Sequence, residues 1–143
     1  MLKRSITYED FNGDSVTEIF YFNITKTELV TLDASHQGET EKYFLDLIAS
    51  EDAEKIVREF TKFLLMSYGI KSEDGKRFEK SEELRKQFHS SAAFDALFID
   101  LVTNVKSAEE FIAGVIPKDL AAKVKASQVQ DKPSGPPLPP SKV

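Results

Sequence analysis

Apolar and polar residues alternate at the start of the chain, between residues 2 and 8. A second run, residues 16–22, is rich in β-branched and aromatic types. A period of two is typical of strands that bury one face. Asn12-Gly13 lies between the two runs and favours a type I′ turn, because both residues tolerate positive φ angles. The pattern predicts a β-hairpin over residues 2–23.

A two-residue Asn-Gly loop also sets the register of this hairpin. It places Tyr8 opposite Thr17 and Ile6 opposite Ile19, on one apolar face. The other face then carries the remaining apolar side chains of the second strand: Val16, Phe20 and Phe22. The second strand therefore needs cover on both faces, either from a helix of the same chain or from a partner subunit.

Helical patterns follow the hairpin. Thr25 and Glu28 form a capping box, which predicts a first helix that ends near Leu32. Residues 35–38 break the pattern, and a second helix is predicted over about Glu39–Ala49. Its apolar stripe is Tyr43, Phe44, Leu47 and Ile48.

Ser50, followed by two acidic residues, predicts the N-cap of a third helix that runs to about Tyr68. Gly69 is expected to end that helix in a left-handed conformation. A polar turn with a short hairpin is predicted around Asp74-Gly75. The apolar stripe of the third helix is Ala53, Ile56, Val57, Phe60, Phe63 and Leu64.

Four further helical patterns, one of them weak, complete the domain. Ser81 predicts the N-cap of one helix, and Ser107 opens a capping box for another that stops at Pro117. A weak helix is expected over Asp119–Lys125. Between the first two lies a helix whose predicted apolar face holds Phe94, Leu97, Phe98, Leu101, Val102 and Val105.

Together these elements predict a mainly helical α+β fold, with the N-terminal hairpin packed on about five or six helices in one domain over residues 1–126. Residues 127–143 contain five of the six prolines and no spaced apolar residues, which predicts a disordered or polyproline II tail. The tail includes Pro136, Pro137, Pro139 and Pro140. Their Pro-x-x-Pro spacing leaves docking to an SH3-like domain as an alternative.

Composition narrows the class of protein. The 143 residues include no cysteine, which excludes disulfides, thiolate metal sites and a cysteine nucleophile. The formal net charge of -5 is unfavourable for binding nucleic acid. No apolar run approaches the ~20 residues that span a bilayer. We therefore expect a soluble, cytosolic protein that binds neither nucleic acid nor membranes.

Candidate chemistry is sparse. Gly69 and Gly75-Lys76 do not have the spacing of a phosphate-binding loop, and Arg77 stands where that loop needs Ser or Thr. His36 and His89 have no second ligand at metal-binding spacing. No Gly-x-Ser-x-Gly motif occurs. We expect no enzyme activity, no cofactor and no metal.

Four stretches resemble tail assembly chaperones of long-tailed, siphovirus-type bacteriophages. They are ITYEDFNGDSVTEIFYFNITKTEL, SYGIKSEDGKRFEKSEE, FHSSAAFDALFIDLV and FIAGVIP, and the similarity spans residues 5–117. The resemblance implies a non-enzymatic protein that binds and solubilises the tape measure protein in the host bacterial cytoplasm while the tail tube assembles. It also implies that this protein is absent from the mature virion. A structural tail completion or connector component of the virion is the alternative.

The resemblance also suggests partners. A longer, frameshifted form of the chain, the tail tube protein and a second copy of the chain are candidates beside the tape measure protein. In a frameshifted form, the resemblance implies that Pro136, Pro137, Pro139 and Pro140 act as a linker. Contact is expected through apolar residues on the second strand and on the last helix. The candidate contact residues are Phe20, Phe22, Phe111, Ile112 and Ile116.

Overall fold

The structure, a computed structural model, describes residues 1–117. In this part of the chain four antiparallel strands are joined by six helical segments. The strands are β1 (Leu2–Glu9), β2 (Ser15–Phe22), β3 (Tyr68–Lys71) and β4 (Phe78–Glu79). The helices are α1 (Lys26–Ser35), α2 (Thr40–Ala49), a continuous run of α3 (Ala53–Lys55), a π turn (Ile56–Phe60) and α4 (Thr61–Ser67), and then α5 (Glu82–His89), α6 (Ala92–Thr103) and α7 (Val105–Val115).

This architecture confirms the predicted α+β fold with an N-terminal hairpin and a mainly helical remainder. The sheet is larger than predicted, because β3 pairs with β2 and extends the first hairpin to the order β1-β2-β3-β4. The predicted weak helix over Asp119–Lys125, the domain boundary at 126 and the tail over 127–143 lie outside the described residues.

The first hairpin turns through three residues, not the two that Asn12-Gly13 predicts. The Asp10 N–H donates to the Asp14 carbonyl over 2.8 Å, and Gly13 has a φ of 87°. The Asp10 carboxylate also accepts the amides of Asn12 and Asp14, each at 2.9 Å. These bonds stabilise a type I turn that ends on a left-handed glycine, so the predicted type I′ loop is wrong.

The longer loop shifts the register of the hairpin by one residue. Ile6 lies opposite Glu18, and Tyr8 lies opposite Val16. The predicted pairs, Tyr8 with Thr17 and Ile6 with Ile19, are therefore wrong. Because side chains alternate with a period of two, this shift moves every residue of β2 to the other face. Phe20 and Phe22 consequently share the face of Ile6.

Helices of the same chain cover this shared face. The Arg4 guanidinium of β1 donates to the Asp100 carboxylate of α6 over 2.7 Å. Phe22 of β2 meets Phe111 of α7 edge-on, with ring centroids 5.1 Å apart. The sequence left two possibilities for the face that holds Phe22, a helix of the same chain or a partner subunit. The structure shows helices of the same chain on this face.

Gly69 lies within β3 and does not end a helix. It pairs with Tyr21 of β2. A Cβ atom at this position would lie 2.7 Å from the Phe78 ring and 2.8 Å from the Glu79 carbonyl oxygen. The glycine therefore permits the close approach of β4, and the predicted left-handed cap is wrong. The helix before it ends at Ser67, near its predicted limit.

The polar turn between β3 and β4 is confirmed. Gly75 has a φ of 75°. The Asp74 carboxylate accepts the Ser72 hydroxyl at 2.7 Å and the Lys76 amide at 3.0 Å. These two bonds lower the pKa of Asp74, the hydroxyl contributing more.

The capping box of α1 is confirmed. The Thr25 hydroxyl accepts the Glu28 amide at 3.1 Å, and the Glu28 carboxylate accepts the Thr25 amide at 2.9 Å. The same carboxylate oxygen accepts the Lys80 ammonium at 2.6 Å, which also donates to the Asn23 carbonyl at 2.7 Å. Burial lowers the pKa of Lys80, and its bond to Glu28 opposes that shift. α1 runs on to Ser35, past its predicted end.

The third helix starts later than predicted. The Asp52 carboxylate accepts the Lys55 amide at 3.2 Å and is the N-cap. Ser50 instead ends α2, where its hydroxyl donates to the Leu47 carbonyl over 2.6 Å. The π turn that follows places Ile56 and Phe60 in the core and leaves Val57 exposed. Ala53 is exposed too, so neither Ala53 nor Val57 belongs to the buried stripe.

The start of α7 also differs from the prediction. The Asn104 side chain accepts the Ser107 amide at 3.2 Å, so the cap is Asn104 and the predicted Ser107 capping box is wrong. Val105 belongs to α7 and is exposed, outside the apolar face of α6. The predicted Ser81 cap is confirmed, and α7 ends at Val115, before Pro117 as expected.

Packed aromatic rings join the sheet to the helices. Phe22 lies 5.8 Å from Phe88 of α5, which stacks on Tyr68 of β3 at 4.3 Å. Phe44 of α2 stacks on Phe63 of α4 at 4.3 Å. These contacts belong to one core. Every helix except α3 and every strand except β4 contributes at least one residue to it or packs against it.

Candidate partner-binding surface

The five predicted contact residues lie mainly in this core. Four of them are 0 to 6% exposed: Phe22, Phe111, Ile112 and Ile116. Phe20 is half-buried, with its ring 5.4 Å from Phe88. A partner reaches Phe22, Phe111 and Ile112 only if the core opens, whereas Ile116 keeps a small exposed part. Their role in binding stays a prediction, and the folded surface offers another place for a partner.

That place is a concave groove between α1 and α2, called here the α1–α2 groove. Its cavity holds about 420 Å³. The apolar part of its wall comes from α1, α2 and the residue after α7: Leu29, Leu45 and Ile116. The remaining lining residues are Asp33, Gly38, Glu39, Thr40, Glu41, Lys42 and Asp46.

A tight turn shapes the mouth of this groove. α1 ends at Ser35 with His36 as its C-cap, and Gln37 and Gly38 take positive φ angles of 56° and 78°. The buried Thr40 hydroxyl then donates to the Asp33 carboxylate over 2.6 Å and ties the start of α2 to the end of α1. The turn therefore fixes the spacing of the two helices that wall the groove.

The rim of the α1–α2 groove is acidic. Four carboxylates and one ammonium group line it: Asp33, Glu39, Glu41, Asp46 and Lys42. Lys42 donates to Asp46 over 2.7 Å, one turn along α2, and this bond raises the pKa of Lys42. Both side chains are exposed, so the pair adds little stability. The groove combines an apolar wall with a negative rim.

Sequence reasoning missed the groove. The predicted stripe of α2 identified Phe44 and Leu47, which are buried. Leu45 lies outside that stripe and directly before Asp46. An apolar residue outside the stripe of its helix is the one signal in the sequence that could have indicated the groove. Ile116 was predicted as a contact residue and does line the groove, although it is 6% exposed.

Among residues 1–117, no cluster of three or more histidine, aspartate or glutamate side chains is arranged to hold a metal ion. No helix in the described range is long and apolar enough to span a bilayer.

Comparison with known proteins decides the family. The model of a family described as phage tail assembly chaperone matches residues 1–140. The chain belongs to the phage tail assembly chaperone family. No curated protein and no solved structure matches it. The match covers more of this tail assembly chaperone than the stretches quoted above, because it includes the proline-rich segment with Pro136, Pro137, Pro139 and Pro140. Membership implies protein partners from the phage tail.

Proposed function

We propose that this tail assembly chaperone binds the tape measure protein and keeps it soluble while the tail tube assembles, without catalysing a reaction. The family match supports the assembly role. The α1–α2 groove supports a binding role, since its volume of about 420 Å³ and its largely apolar wall suit an apolar side chain from a partner.

The acidic rim defines the chemistry of the bound segment. An apolar side chain that enters between Leu29, Leu45 and Ile116 is stabilised by the surface that it removes from water. Lysine or arginine on either side of it then faces the carboxylates of the rim. The proposed ligand is an amphipathic helix of the tape measure protein with basic residues beside its apolar stripe. The affinity should fall as salt screens the rim.

The chaperone acts in the cytoplasm of the host bacterium and is left out of the finished virion. A longer, frameshifted form and the tail tube protein are further proposed partners. In the longer form, Pro136, Pro137, Pro139 and Pro140 serve as a linker. Mass spectrometry of purified particles tests whether the chaperone is left out of the virion. The chaperone should be absent, and stoichiometric amounts in the particles contradict the proposal and favour a structural component.

The direct test is coexpression of the full chain with the tape measure protein of the same genome, followed by fractionation and pull-down. Leu45→Glu places a carboxylate inside the groove, and Val57→Glu makes the same kind of change at an exposed position outside the groove lining. The wild type and Val57→Glu should keep the tape measure protein soluble, whereas Leu45→Glu should lose most of it to the pellet.

Two outcomes separate the parts of the proposal. A tape measure protein that stays insoluble with the wild type overturns the proposed function. A Leu45→Glu variant that is folded by circular dichroism and still binds as well as Val57→Glu overturns the assignment of the groove alone. Folding of both variants is the necessary control, because Leu45 is half-buried.

A further inference from the structure

The part of the chain that the structure describes ends beside the α1–α2 groove. α7 ends at Val115, and Ile116 follows with an extended backbone, at a φ of -91° and a ψ of 126°. The Ile24 amide, just before α1, donates to the Val115 carbonyl over 3.0 Å. This bond holds the end of α7 against the start of α1, and Ile116 lies in the groove wall. The residues that follow Pro117 therefore begin at the groove.

The sequence that continues from this point has the chemistry of a groove ligand. Residues 118–125 read KDLAAKVK. Leu120 and Val124 are four residues apart, a spacing that places both on one face of a helix. Three lysines and one aspartate accompany them, whereas the rim of the groove has four carboxylates and one ammonium group. Apolar residues between lysines are the ligand that an apolar wall with an acidic rim favours.

We infer that residues 118–125 bind in the α1–α2 groove of the same chain. Leu120 then packs against Leu29 and Leu45, and the lysines of the segment face the carboxylates of the rim. Leu120 lies four residues beyond Ile116, and a chain spans up to about 3.5 Å per residue, so it reaches about 14 Å from Ile116. This is far enough to enter a cavity whose wall includes Ile116 itself.

Attachment to the domain makes even a weak contact effective. A short flexible tether holds its segment at an effective concentration on the order of 1 mM. A segment whose separate peptide binds with a Kd of about 1 mM therefore fills about half of the grooves when it is attached. Such an occupant covers the apolar wall in the free chaperone and yields to a ligand that binds more tightly. Its displacement by the tape measure protein rests on the proposed function, whereas the docking of the segment does not.

Cross-linking tests the contact in the full chain. The sequence has no cysteine, so Leu45→Cys combined with Leu120→Cys introduces the only two thiols. On oxidation at low protein concentration these thiols should form an intramolecular disulfide, because side chains in contact meet the geometry of that bond. Lys26→Cys combined with Leu120→Cys is the matched control and should cross-link several-fold more slowly. Lys26 is exposed, lies two residues after Ile24 and is outside the groove lining.

Two outcomes of this experiment overturn the inference. Equal rates for the two pairs mean that the segment visits the groove no more than the neighbouring surface. A disulfide that joins two chains at the same dilution assigns the groove to the segment of a second copy. The tape measure protein is absent from the experiment, so either outcome leaves the proposed function intact. Conversely, a tape measure protein that stays insoluble in coexpression does not affect the docking of the segment.

Amide resonances of the isotope-labelled full chain give an independent test with an unchanged groove. Leu120→Asp removes the apolar side chain and adds a carboxylate beside the acidic rim, so it should release the segment. The amide signals of Gly38 and Leu45, which line the groove, should then shift, whereas the signal of Gly13 at the hairpin turn should not. Leu120→Met keeps an apolar side chain and should leave all three near their wild-type positions. Groove signals that do not move in Leu120→Asp overturn the inference.

Discussion

Truncation of Phe22 tests whether the face of β2 is core, as the observed register requires. Phe22 has no exposed surface, and its ring meets those of Tyr68, Phe88 and Phe111 at centroid distances of 6.0, 5.8 and 5.1 Å. The predicted register placed this side chain on the opposite face from Ile6, where a partner was one possible cover. Phe22→Ala removes the ring from the centre of the aromatic core.

The expected cost follows from this burial. Truncation of a buried phenylalanine to alanine costs about 3 to 5 kcal/mol, from lost transfer free energy and from the cavity left behind. The tight contacts on three sides favour the middle of that range, about 4 kcal/mol. This is a large part of the roughly 5 to 15 kcal/mol that stabilises a typical domain. Phe22→Leu keeps an apolar side chain and should be destabilised less.

The assay is urea denaturation followed by far-ultraviolet circular dichroism. With an m value of about 2 kcal/mol/M, Phe22→Ala should lower the midpoint by about 2 M, with Phe22→Leu in between. Phe11→Ala is the matched control, because Phe11 is 86% exposed at the hairpin turn. It should shift the unfolding free energy by less than about 0.5 kcal/mol. Similar midpoints for Phe22→Ala and Phe11→Ala would refute the placement of Phe22 in the core.

Two further predictions concern charged and titrating groups. Glu28→Ala should lower the unfolding free energy by about 3 kcal/mol, because Lys80, with an 11% exposed side chain, loses its carboxylate partner and the cap of α1 is weakened. The Glu28→Ala/Lys80→Met variant should recover part of that loss in urea denaturation, and no recovery contradicts the importance of the pair. Burial raises the pKa of Tyr68 above 10.0, so the stability that its neutral phenol provides is complete below pH 10 and is lost as the pH rises through the folded-state pKa. The unfolding free energy of the wild type should therefore fall more steeply above about pH 10 than that of Tyr68→Phe, and parallel curves contradict this.

The hairpin shows where sequence reasoning succeeds and where it fails. Alternation and turn residues correctly predicted both strands. The register failed because Asn12-Gly13 favours one loop while the Asp10 carboxylate, two residues before, stabilises another by accepting two amides. A loop one residue longer then exchanged the two faces of β2. Two turn types compete in this stretch, and packing of the hairpin against the helices selects one of them. A hydrophobic pattern does not show this competition.

The predicted helix limits also failed where neighbouring side chains compete. The Thr25 cap was predicted because Glu28 completes its capping box, and the Ser81 cap because no other capping residue lies beside it. Ser50 and Ser107 failed because Asp52 and Asn104 lie close by and also accept amides. Where several residues that can cap a helix lie within a few positions, packing determines which of them is the N-cap.

The α1–α2 groove could not be predicted from the sequence for a different reason. Its apolar wall combines Leu29, Leu45 and Ile116, which are far apart in the sequence. Local periodicity predicts which face of each helix is apolar. It does not predict which helices meet or what space they leave between them.

The π turn has a consequence for how relatives of this chain are compared. A helix with one wide turn contains one residue more than a regular α-helix that joins the same two points. Between Ile56 and Phe60, both in the core, lie the exposed residues Val57 and Arg58. A relative with a regular helix here is expected to align with a single-residue gap in this stretch and with its core positions unchanged. In this family, a gap inside a helix can therefore mark a conserved packing arrangement and need not indicate an alignment error.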